Sequence, residues 1–211
     1  GNPGDGFCDT GSAPNLTGIC TLRAAIMEAN ALPGADTINL PAGTYALTHG
    51  GANEDQAATG DLDIADDVTV TGAGAATTII DGGALDRVLD IRPGAIVQIS
   101  NVTIQNGDTT GTGGGVRNEG TLTITDSTVS NNTAGEDGGG IYNDANADLT
   151  LTNCTVSGNS TGKGGNCYGT GCMAGDGGDG GGIYNGGTVK ITDSTVSNNT
   201  TGKGGACPDY K

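Results

Sequence analysis

The chain has 211 residues, of which 42 are glycine, one is phenylalanine and none is tryptophan, so a core built on aromatic rings is excluded. Aspartate and glutamate outnumber lysine and arginine 24 to 8, giving a net charge of −16; such a surface repels phosphate backbones and anionic bilayers, which argues against nucleic acid and acidic membranes as partners. No apolar run reaches the ~20 residues of a membrane-spanning helix, and the charge fits a solvating surface first, with capture of divalent cations as the alternative.

Residues 1–35 read as an N-terminal cap. No basic-then-apolar leader opens them, so Gly1 reads as a processed terminus. Cys8 and Cys20 bracket the polar loop CDTGSAPNLTGIC and are expected to form a disulfide, which suits an oxidising, extracytoplasmic setting. TLRAAIMEAN, Thr21–Asn30, predicts the one helix. Leu22, Ala25, Ile26 and Ala29 repeat at i, i+3, i+4 and i+7, Thr21 suits an N-cap, and LPGAD stops the helix.

From Asp36 onward the pattern changes to short alternating strands. DTINLPAGTYALT, DLDIADDVTVTG, TTIIDGG and RVLDIRPGAIVQIS lead into a clear repeat. Ile99, Ile124, Leu151 and Ile191 open matching strings at steps of 25, 27 and 40 residues. Each unit then carries a glycine triplet: GGGVRN at 113–118, and GGGIYN ending at Asn143 and again at Asn185. An insertion at about 162–180 explains the long step; it carries Cys167 and Cys172, close enough to form a second disulfide. Cys207 repeats the position of Cys167, and Cys154 falls at an inward site as a free, buried thiol.

One such unit cannot bury its few aliphatic residues, whereas stacked copies place Ile on Ile and Val on Val. The expected architecture is all-β: a right-handed parallel β-helix of about seven coils over residues 36–211, with coils ~4.8 Å apart. The glycines allow a corner with positive φ and close approach of backbones. Val116, Ile141 and Ile183 then point inward, and Asn118, Asn143 and Asn185 turn in and bond along the axis. Arg117, Tyr142 and Tyr184 form an outward ladder, read either as a row that packs on itself or as a binding strip.

CTLRAAI (Cys20–Ile26), followed by AN and DTINLPAGTY, resembles the Cys-Ser-Leu-Arg-Glu-Ala-Ile motif that opens many secreted bacterial and archaeal β-helix proteins. The coils are similar to the Gly-Gly-Ala-Ile and Phe-x-x-Asn repeats of polymorphic outer-membrane proteins and related adhesins. Departures are Thr21 for Ser, Ala24 for Glu, and Val129, Val156 and Val196 at the Phe position. The resemblance spans nearly the whole chain and implies a secreted or surface-exposed rod, usually without assigned activity.

Parallel β-helices also host pectate lyases and polygalacturonases, and fold alone does not decide function. Lyase chemistry wants a calcium-binding acid cluster beside a base; Asp61, Asp63, Asp66 and Asp67 form an acidic run, with Arg87 and Arg92 one coil on. Polygalacturonase-like hydrolysis would use Asp66–Asp67, but the sole histidine, His49, precedes that pair instead of following it. With a single histidine no zinc site is expected; no cofactor is expected either, and calcium stays open. Sequons stand at Asn15, Asn101, Asn131, Asn153, Asn159, Asn198 and Asn199, several at solvent-facing corners able to carry a glycan. The chain stops in GKGGACPDYK, part-way through a coil, so continuation in a longer rod or head-to-tail self-association is expected. The sequence therefore reads as a non-enzymatic structural or adhesive solenoid, extracellular or on a bacterial or archaeal cell surface. The alternatives are a polysaccharide lyase or hydrolase and a calcium-dependent carbohydrate-binding module.

Overall fold

The computed structural model describes residues 20–51, 54–165 and 175–206. Both expected disulfides involve residues outside these ranges, Cys8 in one pair and Cys167 and Cys172 in the other, and Asn15 and Cys207 also lie outside. A helix runs from Leu22 to Ala31, one residue later at each end than its pattern suggests, with the Thr21 hydroxyl accepting the Ala24 N–H at 3.2 Å. Its Leu22, Ile26 and Ala29 enter the same core as the strands.

The strands stack in parallel in three main sheets. The first holds Asp36–Leu40, Val68–Gly72, Ile96–Ser100, Thr121–Thr125, Asp148–Thr152 and Thr188–Thr192. The second holds Gly43–Ala46, Thr78–Asp81, Thr103–Gln105, Thr128–Ser130, Thr155–Ser157 and Thr195–Ser197. The third runs through Leu62–Ile64, Leu89–Ile91, Val116–Asn118, Ile141–Asn143 and Ile183–Asn185. Register is strict: Val70, Ile99, Ile124, Leu151 and Ile191 pair in one file. Because alternate residues face opposite sides of a strand, Leu122 and Ile124 are buried while Thr123 and Thr125 between them are half-exposed.

The described residues give six rungs in the first two sheets, against about seven coils counted from sequence. DLDIADDVTVTG is the reason: Leu62–Ile64 closes one coil and Val68–Gly72 opens the next, so an unbroken alternating string spans a coil boundary.

Corners between the first two sheets fall on a column with positive φ, Asn101, Asp126, Asn153 and Asp193. A second such column, Asn106, Asn131, Gly158 and Asn198, follows the second sheet. Asn, Asp and Gly tolerate the left-handed region best, which accounts for this otherwise unexplained composition.

The repeated glycine triplet also has a steric cause. Its first member is left-handed, with φ of 69° at Gly113 and Gly138 and 60° at Gly180. A Cβ on the second would sit 2.4, 2.3 and 2.4 Å from the carbonyl oxygens of Thr133, Ser160 and Thr200 in the next coil. On the third, at Gly115 and Gly182, it would strike the side-chain amides of Asn132 and Asn199 at 2.8 and 2.6 Å.

Those amides belong to one of two inward asparagine ladders. In the expected one, Asn118 Nδ2 donates to Asn143 Oδ1 at 2.7 Å, and Asn143 Nδ2 to Asn185 Oδ1 at 2.8 Å. The other climbs from Asn132 through Asn159 to Asn199, with steps of 3.0 and 2.9 Å. Cys154, free and buried, occupies the file that Ser127 and Ser194 fill in neighbouring coils, and its thiol donates to the Thr152 carbonyl.

Candidate functional site

Among the described residues, the outward file of the third sheet brings charged and aromatic side chains together. In register it reads Asp63, Asp90, Arg117, Tyr142, Tyr184. The three residues expected as an outward ladder are adjacent in it. Tyr142 and Tyr184 stack with ring centroids 5.0 Å apart and an interplanar angle of 3°. Arg117 sits beside them, but its guanidinium turns the other way, to Asp90 at 3.4 Å and to Glu119.

The other end of the file is covered. The Glu54 carboxylate accepts the N–H groups of Gln56, Ala58 and Thr59 and so folds a tight loop. Arg23, reaching up from the helix, donates to the carbonyls of Ala57, Thr59, Gly60 and Asp61. Asn30 fixes the following strand through the Asp63 carbonyl and the Ala65 N–H. Beneath this roof lie Asp61, Asp63 and Asp90, at 5%, 0% and 3% exposure.

Arginines hold one side of these acids. Arg87 lies 2.7 Å from Asp61 Oδ2 and 3.3 Å from Asp90 Oδ2, and Arg92 reaches the same Asp90 oxygen at 3.3 Å. Burial pushes the Asp61 carboxyl up to about 7 against the pull of Arg87, with Asp63, Asp86 and Asp90 adding to the rise. Burial likewise lifts Asp63 to about 6, opposed by the Ala57 N–H and reinforced by Asp90. Such shifts concentrate where a fold places charge for use as well as in structural ion networks.

The acidic run therefore splits. Asp61 and Asp63 enter the cluster together with Arg87 and Arg92, whereas Asp67 accepts the Ile96 N–H and Asp66 the Asp67 N–H. His49 is exposed and bonds with its neighbour Thr48. Asp90 escaped the sequence reading because it comes from the next coil, and its signal was the repeated LDI string at 62–64 and 89–91. Two sequons are corrected as well. Asn159 is buried, with its amide nitrogen donating to the Val129 carbonyl and to Asn199, while the amide nitrogen of Asn199 donates to the Val156 carbonyl. Neither nitrogen is free for a glycan. Asn131, Asn153 and Asn198 are exposed at left-handed corners, and Asn101 is half-exposed.

A family model described as the right-handed β-helix region matches residues 66–207, more than half of the chain. The chain belongs to the right-handed β-helix family. The parallel sheets agree with that membership, and the hand of this β-helix is the expected one. No curated protein and no solved structure matches it. No helix among the described residues of this β-helix is long and apolar enough to cross a membrane.

Proposed function

We propose that this right-handed β-helix is a non-enzymatic structural or adhesive module, working outside the cytoplasm, that makes contact through the stacked Tyr142 and Tyr184 rings. The tyrosine stack is the observation that carries the reading. Two coplanar rings on adjacent rungs present a fixed, amphipathic face at low entropic cost, the type of surface that anchors interfaces. A rigid rod suits that task, because its coils hold the rings in place whether or not a ligand is present. Likeness of Cys20–Ile26 to the Cys-Ser-Leu-Arg-Glu-Ala-Ile motif supports an extracytoplasmic setting, and the Arg23 clamp gives the arginine of that string a structural task.

The test is retention of the purified chain on immobilised acidic and neutral polysaccharides. Tyr142→Ala and Tyr184→Ala, at half-exposed positions, are expected to weaken retention tenfold or more without altering the circular dichroism. Unsaturated uronic products appearing on incubation with acidic polysaccharide and calcium would replace this reading with a lyase. Self-association is a second reading, favoured by Val189, Ile191 and Val196, which are 37%, 45% and 48% exposed on the last described rung of strands. A stacked coil, from this chain or from another copy, would cover them, and sedimentation velocity distinguishes monomer from assembly.

A further inference from the structure

The buried acids under the Arg23-held loop have a feature that ion pairing leaves unexplained. Their Oδ2 atoms are all partnered: that of Asp63 by the Ala57 N–H at 2.8 Å, that of Asp61 by Arg87, and that of Asp90 by Arg87, Arg92 and Arg117. The Oδ1 atoms of Asp63 and Asp90 are buried with no hydrogen-bond partner. An unpaired carboxylate oxygen removed from water is costly enough that folded chains rarely keep one, and here there are two on adjacent rungs of one file.

Geometry suggests what satisfies them. One oxygen from each of Asp61, Asp63 and Asp90 lies within 4.8 Å of the others. A calcium ion bound at about 2.3–2.6 Å from each oxygen spans that distance. Charge points the same way. Counting Glu54, Asp55, Asp86 and Glu119 with the three aspartates, seven carboxylates meet the four guanidinium groups of Arg23, Arg87, Arg92 and Arg117. The arginines pin the Oδ2 side of Asp61 and Asp90, and so orient the ligands as an outer shell does.

We propose that Asp61, Asp63 and Asp90 bind one divalent cation, calcium, beneath the loop that Arg23 holds. Backbone carbonyls or water complete the six to eight oxygens that calcium takes. An all-oxygen donor set disfavours zinc, and a roofed site disfavours magnesium, which dehydrates reluctantly. The cation would brace the first and second coils against the loop and, through it, against the helix. This site is independent of the tyrosine strip, so either proposal can fail without the other.

Isothermal titration of chelator-treated full chain with calcium chloride at pH 8 tests it. One ion per chain is expected, with magnesium binding at least tenfold weaker and the thermal midpoint rising with calcium. Asp63→Asn and Asp90→Asn are each expected to weaken calcium binding tenfold or more, while Asp66→Asn leaves it unchanged. Should either variant unfold, terbium bound to the wild-type chain and displaced by calcium supplies a reading that needs no substitution. Absence of both heat and a midpoint shift at millimolar calcium would overturn the proposal, leaving a proton shared between Asp63 and Asp90 as the occupant. Undiminished binding by folded Asp63→Asn and Asp90→Asn would overturn it too.

Discussion

Replacing Asn159 by alanine probes the inward ladder that the coils share. Its Oδ1 accepts both the backbone N–H and the side-chain amide of Asn132 at 3.0 Å, and its Nδ2 donates to the Val129 carbonyl at 3.0 Å. Alanine withdraws these three bonds, and the one from Nδ2 to Asn199 Oδ1 at 2.9 Å, inside a region where Asn132 and Asn159 are almost fully buried. A buried polar group left unsatisfied costs about 1–3 kcal/mol, and the Asn132 N–H and the Val129 carbonyl are the two groups most exposed to that loss. The expected destabilisation is therefore about 3 kcal/mol. Asn131→Ala is the comparison, one residue away, exposed and at φ 56°. It should cost only the left-handed penalty of about 1 kcal/mol, and Asn131→Gly should recover most of that. Urea unfolding followed by far-ultraviolet circular dichroism reads the difference, with an unchanged slope showing that the folded and unfolded states stay comparable. An Asn159→Ala midpoint equal to that of Asn131→Ala would show that the ladder contributes nothing beyond its corner.

Three further outcomes are expected. Arg23→Ala removes four carbonyl contacts, each a charge-assisted bond; amide exchange should accelerate at Ala57 and Gly60, corresponding to a local loss of about 2–4 kcal/mol, while Thr150 stays protected, and uniform acceleration would contradict the clamp. Cys154→Ser should change stability by less than about 1 kcal/mol, because serine already fills that file at Ser127 and Ser194. In the wild type, burial first of all raises the thiol's pKa, so a thiol reagent should label Cys154 only after denaturation. Asp81 concerns pH: partial burial raises its carboxyl, but the Gln105 and Asn106 amides and the Gly83 N–H outweigh this and hold it below its ordinary value. A depressed carboxyl stabilises the fold above its unfolded pKa of 3.8 and loses that contribution as pH falls through the folded value. Wild type should therefore lose more stability on acidification than Asp81→Asn, and parallel acid transitions would refute it.

The period of the repeat by itself determined that this chain coils and which residues line the core. Stacking identical units leaves one register in which Ile99, Ile124 and Leu151 meet, and the GGGIYN strings carry their own steric logic at each corner. Asn118, Asn143 and Asn185 could be placed inward on the same ground, since two-residue alternation from Val116, Ile141 and Ile183 sets their direction. Tertiary structure alone decided the rest, wherever direction or proximity depended on chain far away. Asn159 and Asn199 look like glycan acceptors in a three-residue string, yet after the left-handed Gly158 and Asn198 their side-chain amides turn inward onto the Val129 and Val156 carbonyls. Asp90 meets Asp61 and Asp63 because coils close in space what the sequence separates, and Arg23 reaches the Asp61 carbonyl from a helix more than thirty residues upstream. A repeat specifies what recurs in every coil; a cluster assembled once, from a helix, a loop and two rungs, exists only after those parts have packed.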